Sequence, residues 1–133
     1  MATLVRTGRF FSGLVLAFMA FDGAIHLLKI APVVDAFAQL GYPITAAVPL
    51  GVLEIACVVL TLIPATRMFG ALLLTAYFGG AVATQLRVSA PLFPLTFPVL
   101  LGGLLWGGLL LQDARVRQLT LDIPARPRPA ASR

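Results

Sequence analysis

The run Phe10 to Leu28, FFSGLVLAFMAFDGAIHLL, is long and apolar enough to cross a bilayer, yet it carries Asp22 and His26 in its second half, with Lys29 just beyond. At the helical rotation of about 100° per residue, these three side chains fall within roughly 60° of one another and form one polar stripe. A carboxylate facing lipid costs at least about 2.5 kcal/mol on insertion scales. Asp22 therefore needs other helices around it, and the chain has to fold as a bundle rather than as an isolated span.

Three further apolar runs supply those helices: Ala46 to Ile63, Phe69 to Val88 and Leu95 to Leu111. Each is close to the roughly 17–25 residues that cross about 30 Å of hydrocarbon at about 1.5 Å per residue. The chain is 59% hydrophobic and 11% charged, with a mean hydropathy of +0.98, outside the balance of a soluble domain. The pattern predicts an all-α, integral membrane four-helix bundle over residues 1–122, with spans at about 10–28, 46–63, 69–88 and 95–111. Residues 123–133, IPARPRPAASR, have no apolar period and carry three prolines, which predicts a disordered tail.

Punctuation between the runs agrees with this division. Pro32 and Gly41-Tyr42-Pro43 break the first connection, leaving room for a short interfacial helix over Val33 to Leu40. Ile63-Pro64-Ala65-Thr66-Arg67 reads as a tight turn, and Ser89-Ala90-Pro91 with Pro94 as the third connection. Pro98 is expected to kink the last span or to mark its first turn. Tyr42, Phe93 and Phe97 sit where an interfacial aromatic belt is expected.

The net charge of +5 lies in arginines outside the apolar runs. That makes it an orientation signal and not a nucleic-acid-binding one. A cytoplasmic N-terminus places Arg6, Arg9, Arg67, Arg115, Arg117, Arg126, Arg128 and Arg133 inside and leaves only Lys29 and Arg87 at the other face. Four spans then return the C-terminus to the cytoplasm.

Several chemistries are excluded by residue count and spacing. Cys57 is alone, so an internal disulfide, a dithiol redox pair and a multi-thiolate metal site are ruled out. No nucleophile elbow, glycine-rich phosphate loop or His-Glu-x-x-His helix is present. One histidine cannot supply the paired axial ligands of a b-type haem, and no metal site is expected.

Depth arithmetic brings the polar residues to one level. Asp22 lies about seven residues before the outer end of the first span and Glu54 about eight after the outer start of the second, so both sit roughly 10–12 Å below the outer surface. Two carboxylates at one depth share a proton or are separated by a cation. In the third span, Tyr77, Gly80, Thr84 and Arg87 share a face, with Gln85 beside it. Arg87 is long enough to bend toward Asp22 or Glu54. His26, one turn from Asp22, is a second proton carrier. The expected intramembrane polar site is thus Asp22, Glu54 and Arg87, flanked by His26, Tyr77, Thr84 and Gln85. Gly51, Gly79-Gly80 and Gly103-Leu-Leu-Trp-Gly107 are expected to let the helices of the bundle approach closely. Two readings of the polar residues stand side by side: an ion-pair network that fixes helix register, and the lining of a pocket.

The strings Phe21-Asp22-Gly23 with Leu27 and Pro32, Leu40-Gly41-Tyr42-Pro43, Leu50-Gly51-x-x-Glu54 and Leu62-Ile63-Pro64-x-Thr66 run in order along the chain. They are followed by Gly70-Ala71-x-Leu73-Leu74-Thr75-x-Tyr77-x-Gly79-Gly80-Ala81, Leu86-Arg87, Pro91-Leu92-Phe93 and Leu105-Trp106-Gly107-Gly108. Together they resemble the DoxX-like family of small four-helix bacterial membrane proteins. Two departures stand out: members often carry a Lys where His26 stands, and a His where this chain has Gln85. The resemblance implies a multi-pass protein of the bacterial inner membrane, linked in some members to quinone-coupled oxidation of sulfur compounds or to oxidative-stress complexes. It thus implies an accessory or quinone-contacting oxidoreductase subunit with redox partner subunits, rather than an enzyme on its own. The alternative is a binder or carrier of a lipid-like or small amphipathic molecule, and self-association into a homo-oligomer is open in either case.

Overall fold

A computed structural model describes residues 2–121 of the chain; the tail expected over residues 123–133 lies outside the described residues. Six α-helices follow one another: α1 (Ala2–Leu28), α2 (Ala31–Leu40), α3 (Ala47–Leu62), α4 (Arg67–Arg87), α5 (Leu92–Gln112) and α6 (Ala114–Leu121). A single 3-10 turn, Ile44–Ala46, leads into α3, and there is no strand among the described residues. Four helices are long and apolar enough to cross a membrane: α1, α3 with its 3-10 lead, α4 and α5. At about 1.5 Å per residue, the 27 residues of α1 exceed the roughly 30 Å of a hydrocarbon core, which leaves the turns bearing Arg6 and Arg9 to emerge from it.

The four long helices close into a ring in which α1 packs on α3 and α5, and α4 packs on the same two. The core runs through the middle of the ring, from Val15 and Met19 of α1 and Cys57 of α3 to Leu74 and Phe78 of α4 and Leu105 and Leu109 of α5. Two pairs of glycines set how closely α1 approaches its neighbours. A Cβ on Gly51 would lie 2.7 Å from the Gly23 carbonyl oxygen, and one on Gly108 would lie 2.6 Å from the Ser12 backbone nitrogen. Gly103 and Gly107, expected to serve this purpose inside the bundle, meet nothing within 4 Å. They face outward because Leu105, between them, takes the core position.

The short helix α2 covers one end of the ring. Pro32 starts it, where a missing N–H costs nothing. Gly41 ends it at φ 70°, with its own N–H donating to the Ala38 carbonyl and the Tyr42 N–H to the Phe37 carbonyl. Its buried face, Val33 and Phe37, packs with Ala47 into a second small core that includes Ile25, Ile30 and Leu50. Pro98 lies inside α5, which begins at Leu92 behind Pro91.

Candidate functional site

The Gly23–Gly51 crossing brings the polar stripe of α1 against α3. Asp22 and His26 are spaced i, i+4, and Glu54 approaches them from α3 with its side chain fully withdrawn from solvent. His26 Nδ1 stands 2.9 Å from the Asp22 carbonyl oxygen, 3.2 Å from Glu54 Oε2 and 3.7 Å from Asp22 Oδ2. A nitrogen facing three oxygens is the setting of an N–H donor, which assigns the proton of a neutral imidazole to Nδ1 and the lone pair to Nε2. Tyr77 of α4 completes the group by donating its hydroxyl to Glu54 Oε1. One donor atom each from Asp22, His26 and Glu54 lie within 4.8 Å of one another. That spacing is compatible with a metal ion, but the acceptors gathered around Nδ1 favour a proton there.

A cavity of about 300 Å³ opens beside this group, lined by His26 and Tyr77 on one side and by Phe37, Tyr42, Gly80 and Thr84 on the others. No hydrogen bond to His26 Nε2 is found among the described residues, and His26 is a wall of the cavity. The His26 ring is also held edge-on to Phe37 at 5.5 Å between centroids.

Arg87 stands apart from the carboxylates. It donates to the Leu40 carbonyl, and its guanidinium carbon lies 5.3 Å from the centroid of the Tyr42 ring. Tyr42 in turn pairs with Thr84, hydroxyl to hydroxyl, at 3.2 Å. The expectation that Arg87 reaches Asp22 or Glu54 is therefore corrected. Ten residues beyond Tyr77 on one helix amount to roughly 15 Å of rise, too far for the side chain to return. The cation facing the carboxylates is the imidazole when it is protonated, and Arg87 instead fastens the end of α2 to α4. Gln85 lines the cavity, and no side-chain hydrogen bond is found for it among the described residues. Tyr42, read from the sequence as part of an interfacial belt, is a cavity wall, as are Phe37 and Leu40; the Gly41-Tyr42-Pro43 turn was the one signal that could have located them.

Residues 10–108 match the model of the DoxX-like family. The chain belongs to the DoxX-like family. No curated protein and no solved structure matches it. The match covers all four long helices except the first turns of α1 and the last turn of α5, so this DoxX-like protein is a multi-pass membrane protein whose long helices contact lipid. It also includes every residue of the carboxylate–histidine–tyrosine group and of the cavity beside it.

Proposed function

We propose that this DoxX-like protein is a quinone-contacting subunit of a redox complex in the bacterial inner membrane, with both termini in the cytoplasm and the cavity in the outer half of the bilayer. The observation that carries the reading is the placement of His26, held at Nδ1 by Glu54 and Asp22, with no hydrogen bond to Nε2 among the described residues, in the wall of an apolar, aromatic-lined cavity. A carboxylate that fixes the tautomer and balances the charge of an imidazolium makes the opposite nitrogen an effective proton donor and acceptor. A planar head with oxygen at its rim suits such a cavity: the rings of Phe37 and Tyr42 supply apolar surface, and His26 supplies the polar contact. Reduction of a bound quinone takes two electrons, provided by an electron-donating partner subunit, and two protons. His26 Nε2–H delivers one of these protons to a quinone oxygen and returns to the neutral Nδ1–H imidazole, whose charge Glu54 balances beforehand; water entering the cavity supplies the second proton and recharges Nε2.

The same cavity would serve a carrier of a lipid-like or small amphipathic molecule without electron transfer. Native mass spectrometry of gently extracted protein separates the two. Retained quinone, lost in His26→Gln, supports the redox reading, whereas retained phospholipid, or an empty protein that shows no quinone-linked activity in the membrane, overturns it.

A further inference from the structure

A second cavity, of about 320 Å³, lies between α4 and α5. Its walls include Phe78, Gly79 and Val82 on one side and Pro98, Gly102 and Trp106 on the other. It exists because glycines stand where side chains would fill it: a Cβ on Gly79 or Gly103 meets nothing within 4 Å, whereas one on Gly102 already touches Phe78 at 3.6 Å. The Trp106 indole N–H is satisfied by Thr75 Oγ1 at 2.8 Å, so the ring offers the groove its apolar surface alone. The two cavities overlap in depth, since the first takes residues from Tyr77 to Gln85 of α4 and the second from Thr75 to Val82. They flank the outward face of α4, and on that face Ala76, Gly79, Gly80 and Ala83 are all exposed. Nothing larger than a methyl group separates them.

We propose that the groove between α4 and α5 holds the apolar tail of the molecule whose head occupies the His26 cavity, the tail crossing α4 over the Ala76–Gly79–Gly80–Ala83 strip. This inference rests on the head-site reading above and adds to it a ligand class: a long-tailed isoprenoid or alkyl quinone rather than a compact, tailless one. Continuity selects this occupant over bulk lipid, because the bare strip joins the groove to a cavity that has His26 and Tyr77 in its wall.

Trp106 is the one tryptophan of the chain and so reports on the groove by its fluorescence. Purified full-length protein in nanodiscs is titrated with a tailless benzoquinone, with an alkyl-tailed homologue, and with the same homologue brominated at the tail end. The tailed quinones are expected to bind at least about tenfold tighter than the tailless one, with extra quenching of Trp106 from the bromine. Gly79→Leu and Gly103→Leu, each filling the groove from one wall, are expected to abolish the extra quenching and the tail preference while leaving tailless binding unchanged; two variants on different helices guard against one failing to fold. Equal binding of tailed and tailless quinones, or bromine quenching that survives both substitutions, overturns the tail site and leaves the head site standing. Quenching by a brominated phospholipid that tailed quinone does not relieve assigns the groove to bulk lipid, with the same consequence. Failure of every quinone to bind removes the head-site reading and this one with it.

Discussion

His26 Nδ1 lies 3.2 Å from Oε2 of Glu54, a carboxylate buried between α1, α3 and α4 and joined on its other oxygen by the Tyr77 hydroxyl. The contact ties one helix to two others through a group that is never wetted, so its charge and its shape are separable by mutation. Glu54→Gln keeps the shape and an acceptor oxygen. We expect it to insert and melt within a few degrees of the wild type while the proposed quinone-linked activity falls by about 10²–10⁴, the usual weight of a proton-transfer group. Glu54→Leu also strands the Tyr77 hydroxyl, costing about 1–3 kcal/mol, while the His26 N–H keeps only the Asp22 carbonyl. Thermal unfolding in detergent checks this, and a Leu variant as stable as the Gln variant contradicts the network.

Substitution of His26 tests which atom handles the proton. His26→Gln retains a polar side chain near Glu54 but has nothing that titrates near neutrality. Activity measured from about pH 5 to 8, the range in which histidine ordinarily changes charge, is expected to lose its pH dependence along with most of its rate. A residual profile with the wild-type shape would assign the proton step elsewhere.

How much of this was legible beforehand depended on what physical rule spoke to each residue. The four long helices were legible because a bilayer imposes both a length and an apolar composition, although α1 reaches back to Ala2, past Arg6 and Arg9, which the apolar run alone leaves outside it. The level of Asp22 and Glu54 followed from rise per residue alone. The partner of Arg87 did not, because height along a helix says nothing of a neighbouring segment folding back. Only once α2 is in place do the Leu40 carbonyl and the Tyr42 ring become available. Gly103-x-x-x-Gly107 matched a packing motif, yet the contacts fell to Gly8 and Gly108, since a small-residue spacing does not say which face of a helix is inward.

At the opposite end of the bundle, Arg67 Nη1 donates to Asp113 Oδ2 at 2.8 Å and ties the start of α4 to the start of α6. Partial burial disfavours the Asp113 carboxylate. The Arg115 backbone N–H, the Arg67 guanidinium and the Val116 backbone N–H outweigh that and hold its carboxyl below the usual range. A depressed folded value means the stabilisation is complete above the unfolded value near 3.8 and is lost as pH falls through the folded one. Asp113→Asn is therefore expected to cost about 0.2–1 kcal/mol at neutral pH, with the gap closing below about pH 4. Unfolding titrations at several pH values check the sign, and a gap that widens on acidification refutes it.

The α1–α5 crossing turns on adjacent glycines with opposite surroundings. A Cβ on Gly108 would press to 2.6 Å from the Ser12 nitrogen and 2.8 Å from the Gly8 carbonyl oxygen, both backbone atoms that cannot rotate away. One on Gly107 meets nothing within 4 Å. Gly108→Ala must push α1 off α5 and strain the bond from Gln112 Nε2 to Ser12 Oγ, 2.6 Å long, that lies beside the crossing. A loss of about 1–3 kcal/mol is expected, the usual range for overpacking, whereas Gly107→Ala should stay within about 0.5 kcal/mol of the parent. Denaturant unfolding of the two variants in the same detergent reads the difference directly. Because the substitutions are chemically identical and one residue apart, equal effects would mean that α1 and α5 do not meet at Gly8 and Gly108.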